Sequence, residues 1–394
     1  MRLADRIRHV TLSPTFRINA IARRMKAQGI DVLDFSVGEP DFDTPLSAKE
    51  AGKSAIDRNI TRYTANEGTL ELRQAIVAKL KADNGLTYEA DQILVSPGAK
   101  ASLYCAAMAL FSPGDEILVP QPYWVSYPEQ IRLAGATPVV IEAREENGFK
   151  LEAIELDAAV GSKTKGIILN YPSNPTGACY DRAELTALAE IVVEHDLVVV
   201  ADEIYEKLLY DRRTFTSIAA LGPEIAARTV VVNGMSKAFA MTGWRIGYAA
   251  GPKEIVDAMA KVQSHTTSHP ASMSQFAGDV ALREAGEDVR RMAAEFERRR
   301  DAIVALLAKL PGVTCVPPAG AFYVFPNVTG LFGRAIGGRK VACGQDVAEA
   351  LLETTRVAVV PGEAFGSPDH VRISFSCAME TIQEGLRRIG EAIG

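Results

Sequence analysis

The stretch from Thr229 to Arg245, TVVVNGMSKAFAMTGWR, constrains the fold and the chemistry of this chain more than any other. It begins with three consecutive valines, the pattern of a strand buried on both faces of a parallel sheet. A loop of small residues follows and places Lys237 just beyond the predicted strand. Open α/β sheets bind ligands at that edge, so we predict a functional lysine there.

Three side chains of this stretch have complementary chemistry. Burial depresses the pKa of an amine, and a neutral Lys237 can attack a carbonyl to form a Schiff base. The Ser236 hydroxyl and the Arg245 guanidinium suit a phosphate. Together they indicate an aldehyde that carries a phosphate, which describes pyridoxal 5'-phosphate. Taken singly, a lysine in a loop is usually a solvated charge, and an arginine usually forms an ordinary surface ion pair. The rest of the chain must therefore decide between a cofactor site and ordinary surface charges.

Composition excludes several classes of protein. The 394 residues are 47% hydrophobic and 23% charged, as in a globular protein of two or three domains, and the net charge of −6 argues against a nucleic-acid-binding surface. Five cysteines without CxxC spacing predict neither a disulfide framework nor a metal site. The N-terminus resembles no signal peptide and no apolar run could span a membrane, so we expect a cytoplasmic protein.

The hydrophobic pattern predicts an α/β fold in three parts. Residues 47–285 alternate helix and strand, which predicts a large domain with a mostly parallel sheet covered by helices. Residues 286–394 begin with a long connecting helix and continue as a smaller α+β domain, which the N-terminal segment 1–46 joins. The clearest strands of the large domain are 93–95, 116–119, 139–141, 167–169, 197–201 and 230–232. The basic cluster 298–300 is expected to form a solvated face.

Candidate ligands follow four of these strands. Gly98 and Ala99 open a predicted helix, and the free amides at a helix N-terminus bind phosphate. Lys100 in that first turn is unfavourable for the helix dipole unless an anion lies nearby. A solvated lysine is the alternative. Asp202 ends an apolar strand and needs a partner, either a protonated pyridine nitrogen or a structural cation. Tyr205 could reach the ring's phenolic oxygen or simply pack.

Two further loops carry candidates at the same edge. Asn174 lies in an Asn-Pro-Thr-Gly turn and is a second hydrogen-bond donor to the ring oxygen in the functional interpretation. Trp124, one of two tryptophans, lies in a predicted loop where a flat ring could stack on a cofactor. Core packing is the alternative for this indole.

Several motifs in order resemble one family, the class I, fold-type I aminotransferases that use pyridoxal phosphate. They are VGEPDFDTP, YPSNPTG, ADEIYE and GMSKAFAMTGWRIGYAAGP, with Tyr171 where some relatives have serine. The resemblance extends over essentially the whole chain. PYWVSYPE and the N-terminus are most similar to the bacterial subgroup of aspartate aminotransferases.

The resemblance implies a role for each candidate. Lys237 would form the Schiff base with the cofactor and move a proton to and from the substrate α-carbon. Asp202 would hold the pyridinium, and Tyr205 and Asn174 the ring oxygen. The phosphate would be held by Gly98, Ala99, Lys100, Ser236 and Arg245, together with Tyr63 from a partner subunit. A site shared in this way implies a homodimer. Arg372, in VRISFS, would grip the substrate carboxylate, beside Asn174, Trp124 and Gly38.

The resemblance favours aspartate:2-oxoglutarate transamination by a ping-pong cycle, because the lysine matching Lys100 is associated with the distal carboxylate of acidic substrates. Arg17 could be a second anion contact or a surface charge. Relatives that use prephenate tend to have lysine where Thr11 falls, which does not favour that activity. The alternatives left open are an aromatic, alanine-type or prephenate aminotransferase and a carbon–sulfur lyase. A nicotinamide dehydrogenase is disfavoured because no GxGxxG follows a strand.

Overall fold

A computed structural model describes the chain except residues 1–3, 5–6, 9 and 12–14 and the side chains of 15–19. The N-terminal part forms helix α1 (Thr15–Ala27) and the short strand β1 (Leu33–Asp34). The sequence predicts a helix over 18–28 and a strand over 32–37. The strand is therefore shorter than predicted, and the chain beyond it forms an irregular segment that reaches Gly38.

The middle of the chain alternates helices and strands, as predicted. The helices are α2 (Leu46–Asp57), α3 (Leu70–Asn84), α4 (Ala99–Leu110), α5 (Ser126–Leu133), α6 (Ala153–Ala159), α7 (Arg182–Glu194), α8 (Pro223–Ala226), α9 (Lys253–Ser264) and α10 (Ser272–Glu284). The strands are β2 (Ile93–Ser96), β3 (Glu116–Gln121), β4 (Thr137–Glu142), β5 (Thr164–Asn170), β6 (Val198–Asp202), β7 (Thr229–Gly234) and β8 (Gly247–Ala250).

These strands form one seven-stranded sheet in the order β2-β8-β7-β6-β5-β3-β4. Every neighbouring pair is parallel except those of β8, which runs antiparallel to β2 and to β7. The predicted α/β class with a mostly parallel sheet is therefore confirmed. The strand β8 was missed, because its sequence GYAA lacks the β-branched residues that mark a buried strand.

Position 247 requires glycine for a steric reason. A Cβ built on Gly247 would lie 2.2 Å from the backbone nitrogen of Ala99, so only glycine lets β8 pass so close to the turn between β2 and α4. The strand thereby supports the first turn of α4, where we predict phosphate binding.

The rest of the chain packs helices around short strands. The helices are α11 (Gly286–Leu307), α12 (Gly344–Thr355) and α13 (Met379–Ile393), and the strands are β9 (Tyr323–Val324), β10 (Ala335–Ile336), β11 (Arg339–Lys340), β12 (Val357–Ala358), β13 (Val360–Pro361) and β14 (Val371–Ser374). Strand β14 lies between β13 and β9 in a three-stranded antiparallel sheet, and β1 pairs with β12. The N-terminal segment therefore joins this part of the fold.

The basic cluster on α11 differs from its prediction. Arg299 and Arg300 are buried, at 7% and 6% exposure, and only Arg298 lies on an exposed face. Arg299 donates to Asp41 at 2.7 Å and lies over the ring of Phe42 at 5.1 Å. The arginine thus ties α11 to the segment that follows Gly38.

The described residues include no helix that is long and apolar enough to cross a membrane. Within the same residues, no group of three or more His, Cys, Asp or Glu side chains could hold a metal ion.

Candidate active site

A cavity of about 310 Å³ lies where β5, β6 and β7 end. Its walls contain every predicted site residue except Gly98 and Tyr63: Gly38, Ala99, Lys100, Trp124, Asn174, Asp202, Tyr205, Ser236, Lys237, Arg245 and Arg372. The carboxyl ends of parallel strands meet at one edge of a sheet, which is why segments far apart in sequence converge here.

Lys237 follows the fully buried strand β7, and its amine is enclosed. Burial lowers the pKa of Lys237 to about 8; the carboxylate of Glu39 opposes this change, while Arg372 and Arg245 reinforce it. The amine Nζ donates a hydrogen bond to the carbonyl oxygen of Gly38. A substantial neutral fraction of this amine exists near physiological pH, as a nucleophile or proton acceptor requires.

Asp202 ends β6 with its carboxylate buried at 4% exposure. Burial raises the pKa of Asp202 to about 6, and hydrogen bonds from Tyr127 and the Ile204 amide oppose that rise. The Tyr127 hydroxyl donates to Oδ2 at 2.7 Å, and the amide donates to Oδ1 at 3.3 Å. Near pH 7 the carboxylate is therefore ionised and suited to pair with a cation in the cavity.

Tyr127 was missed by the sequence analysis. It lies three residues after Trp124, at the start of α5, and its ring makes an edge contact with that indole at 5.4 Å. The proximity to Trp124 in sequence was the available signal. Its bond to Asp202 joins residues 75 positions apart, which no local pattern reveals.

The turn between β2 and α4 lies against Arg245. Gly98 has φ of +87°, and a Cβ there would lie 2.3 Å from Nη2 of Arg245, so only glycine allows this approach. The guanidinium donates to the carbonyl oxygens of Thr242 at 2.8 Å and Pro97 at 3.3 Å. Together with the Ser236 hydroxyl and the amides at the start of α4, it forms a cluster of donors suited to a phosphate.

Lys100 and Trp124 lie together at the wall of the cavity. The amine of Lys100 lies 4.7 Å from the centre of the Trp124 ring. Burial and the charge of Arg245 both lower the pKa of Lys100. The indole is half-buried rather than part of the core, and in the described part of the chain no carboxylate forms an ion pair with Lys100.

Arg372 lies on β14, with 5% of its surface exposed. It donates to Oδ1 of Asn174 at 3.0 Å and to the carbonyl oxygen of Ser36 at 2.7 Å. Its Nε is buried and has no hydrogen-bond partner among the described residues. A buried guanidinium that lacks a carboxylate partner is costly unless an anion completes it. Arg372 therefore presents to the cavity a guanidinium group that is suited to bind a carboxylate.

Two phenols that form a hydrogen bond with each other line the cavity. The hydroxyls of Tyr205 and Tyr323 are 2.9 Å apart, and both rings are buried. The guanidinium of Arg372 lies over the ring of Tyr323, 4.5 Å from its centre. The sequence analysis missed Tyr323, because it lies in a weak strand of two residues without a motif that marks it.

The remaining candidates lie outside this cavity. Tyr63 is 94% exposed, and its ring contacts His269 in an edge arrangement at 5.5 Å. Thr11 bonds to Glu129 through its amide at 3.1 Å and its hydroxyl at 3.0 Å. The side chain of Arg17 lies outside the described residues.

The donor set fits pyridoxal phosphate. The cavity wall holds four cations that form no ion pair with a carboxylate among the described residues, namely Lys100, Lys237, Arg245 and Arg372. One ionisable carboxylate, Asp202, faces them. A phosphate and a carboxylate-bearing substrate would supply the missing negative charge, and a protonated pyridine nitrogen would match Asp202.

Comparisons with known proteins agree with this chemistry. The family model described as aminotransferase class I and II matches residues 30–389. The chain is 45% identical over 389 residues to the aspartate aminotransferase of Geobacillus stearothermophilus, with 99% of this chain and 98% of that protein covered. It is 47% identical to the aspartate/prephenate aminotransferase of Cereibacter sphaeroides, with 98% and 97% covered. The structure of the Thermus thermophilus aspartate aminotransferase with maleate superposes with a TM-score of 0.94 at 40% identity, and both chains are covered completely.

Proposed function

The chain belongs to the class I and II aminotransferases and is a pyridoxal-phosphate-dependent enzyme, and from this premise we propose that it transfers the amino group between aspartate and 2-oxoglutarate. Such a reaction requires recognition of two carboxylates on one substrate. The observation that carries the proposal is the pair of cations Arg372 and Lys100, neither of which has a carboxylate partner in the described part of the chain.

The two cations have different roles in this proposal. Arg372 is held rigidly by Asn174 and Ser36 and keeps Nε free, so it is suited to grip the α-carboxylate in a fixed orientation. Among the described residues the amine of Lys100 contacts the face of Trp124 and no carboxylate, so it suits the distal carboxylate of a dicarboxylic substrate. The Thermus thermophilus relative that was solved with maleate, itself a dicarboxylate, supports this assignment.

The other residues would hold the cofactor. Ionised Asp202 would pair with the pyridinium nitrogen, and Ser236, Arg245 and the amides of Gly98 to Lys100 would hold the phosphate. Oδ1 of Asn174 already accepts from Arg372, which leaves its amide nitrogen to donate to the ring oxygen together with Tyr205. When bound, the cofactor withdraws electrons from the substrate α-carbon and makes its proton acidic.

Lys237 would move that proton. Its lowered pKa gives it a neutral form near physiological pH, so Nζ can accept the α-proton and return it to a different carbon. The surrounding buried side chains exclude water from this transfer. The amino acid and the oxo acid react in turn at the same site, which is a ping-pong cycle.

The domain division and the assembly form part of this proposal. We place the large domain at 47–285 and the smaller one at 286–394, with 1–46 joining the latter. A homodimer is supported by exposed apolar side chains on α2 and at the start of α3, including Leu46 at 67%, Ile56 at 58% and Leu70 at 50% exposure. Tyr63 lies in the same segment and is free to reach the phosphate site of a second copy.

Prephenate is the second candidate substrate, supported by the name of the Cereibacter sphaeroides relative. The threonine at position 11 does not favour it, because its polar atoms are engaged by Glu129 and it supplies no cation. We therefore expect weak or absent activity with prephenate.

Substituting Lys100 tests the substrate class. In Lys100→Met, kcat/KM should fall by about tenfold to a hundredfold for aspartate and glutamate, since a charge-assisted contact contributes ~1.5–3 kcal/mol. Activity with alanine and phenylalanine should change much less. The measurement is initial rates for a panel of amino donors with 2-oxoglutarate, with prephenate tested as acceptor. An equal loss for every donor would contradict the assignment of Lys100 to the distal carboxylate.

A further inference from the structure

A second cavity, of about 210 Å³, shares one segment with the first. Met235, Ala238 and Phe239 line the second cavity, whereas Ser236 and Lys237 between them line the first. Its other walls come from the end of α3, the segment after β6, the end of β7, Tyr248 of β8, the end of α10 and the start of α11. A molecule bound there would contact the short segment that carries Lys237 and, at the same time, the junction between α10 and α11.

A buried amide in this wall lacks a partner. Asn233 is 3% exposed, and its Oδ1 accepts from the backbone nitrogen of Gly234 at 2.7 Å. Its Nδ2 is buried and has no hydrogen-bond partner among the described residues. Buried donors are rarely left unpaired in folded proteins, so this amide indicates an absent acceptor.

The ion pairs of the wall leave one lysine with spare donors. The wall contains three cations and two carboxylates: Lys79, Lys207, Arg290, Asp83 and Glu206. Both oxygens of Glu206 are engaged, one by Lys79 and the other by the amide of Asn84 at 2.7 Å. In the described part of the chain Lys207 forms one ion pair, with Asp83 at 2.8 Å, so its ammonium group keeps further donors. Arg290 pairs with Glu287 at 2.6 Å, so the charges of this region balance and, among the described residues, the donors left without an acceptor are those of Lys207 and Asn233.

The rest of the lining is apolar. Met235, Phe239 and Val289 provide hydrocarbon surface next to these donors. The volume is smaller than the ~300 Å³ from which pockets for drug-sized ligands start. A short apolar body with one acidic group matches this combination of size, apolar surface and spare hydrogen-bond donors.

We propose that the second cavity is a binding site for a small organic carboxylate with a short hydrocarbon chain. The carboxylate accepts from Nδ2 of Asn233 and from Nζ of Lys207, and the chain packs against Met235 and Phe239. The site does not depend on the proposed transamination, because none of these four residues lines the first cavity.

The experiment uses the holoenzyme and 4,4,4-trifluorobutanoate, observed by fluorine NMR with maleate present to occupy the first cavity. Saturable binding of the fluorinated acid is expected, and the neutral 4,4,4-trifluorobutanol should not compete with it. Asn233→Asp keeps the side-chain shape but replaces the donor by an anionic acceptor, and it should weaken binding by about tenfold or more. Lys207→Gln should also weaken binding of the fluorinated acid.

Lys253→Gln is the matched control, since this lysine forms an exposed pair with Asp257 on α9, and it should leave the affinity unchanged. The absence of saturable binding with maleate present would overturn the proposal. Wild-type affinity in Lys207→Gln would also overturn the proposal. If Asn233→Asp does not fold, the result for Lys207→Gln alone tests the proposed site. Equal affinity for the alcohol would show an apolar cavity instead of a carboxylate site.

Discussion

Replacing Tyr127 by phenylalanine removes one hydrogen bond and leaves the shape of the site intact. The bond runs from the phenol to Oδ2 of Asp202 at 2.7 Å, and the only other donor to this carboxylate in the described part of the chain is the Ile204 amide at 3.3 Å. The phenol stabilises the ionised form of Asp202, so its removal raises the pKa of that group. A hydrogen bond to a charged group contributes ~1.5–3 kcal/mol, and ~1.4 kcal/mol corresponds to a change of one in pKa.

The pKa of Asp202, about 6 in the intact apoprotein, should therefore rise to roughly 7 to 8 in Tyr127→Phe. The active form of Asp202 is the ionised one, so activity is present above its pKa and is lost as the pH falls through that value. The acid limb of kcat/KM for aspartate should consequently move to higher pH by about one to two. Weaker binding of pyridoxal phosphate to the apoprotein at pH 7 should accompany this change.

Both quantities are measurable with purified protein, by initial rates between pH 5 and 9 and by titration of the apoprotein with the cofactor. Tyr123→Phe is the control, because this half-buried phenol lies in the loop just before α5 and makes no bond to Asp202. An acid limb that stays in place in Tyr127→Phe, or that moves equally in the control, would refute the reasoning.

Three further substitutions test the remaining parts of the site. Lys237→Ala should abolish transamination while circular dichroism remains that of the wild type, and turnover near the wild-type rate would remove this lysine from its role. Tyr323→Phe deletes the bond to Tyr205 and should lower kcat/KM by about threefold to tenfold, for a net loss of ~0.5–1.5 kcal/mol; an unchanged value would show that the two phenols do not act together. Tyr63→Ala mixed with Lys237→Ala should regain activity on subunit exchange, because one site of each hybrid dimer then has both side chains, and no recovery would argue against a shared site.

The sequence predicted those parts of the site that depend on local patterns. Asp202 and Lys237 could be placed at one edge because each directly follows a continuously apolar run, and such runs are strands of a buried parallel sheet. The turn that contains Gly98 was recognisable because glycine before a helix marks a place of close approach.

Other features depend on contacts between distant segments and were not predictable. Arg299 is separated from Asp41 by 258 positions, so its burial could not be inferred from its own helix. Tyr205 and Tyr323 are 118 positions apart. The strand β8 was missed because its small residues reflect close packing against the first turn of α4, a constraint that hydrophobic periodicity does not report.

The bond from Nζ of Lys237 to the carbonyl oxygen of Gly38 couples the state of the amine to the N-terminal segment. Other contacts hold the same segment on either side of Gly38: Arg372 donates to the carbonyl oxygen of Ser36, and Arg299 donates to Asp41. When the nitrogen forms a covalent bond, it has fewer hydrogens to donate to Gly38, so this contact weakens while the others remain. One wall of the cavity is therefore fastened to the fold at several points, and only one of these fastenings follows the chemistry of Lys237.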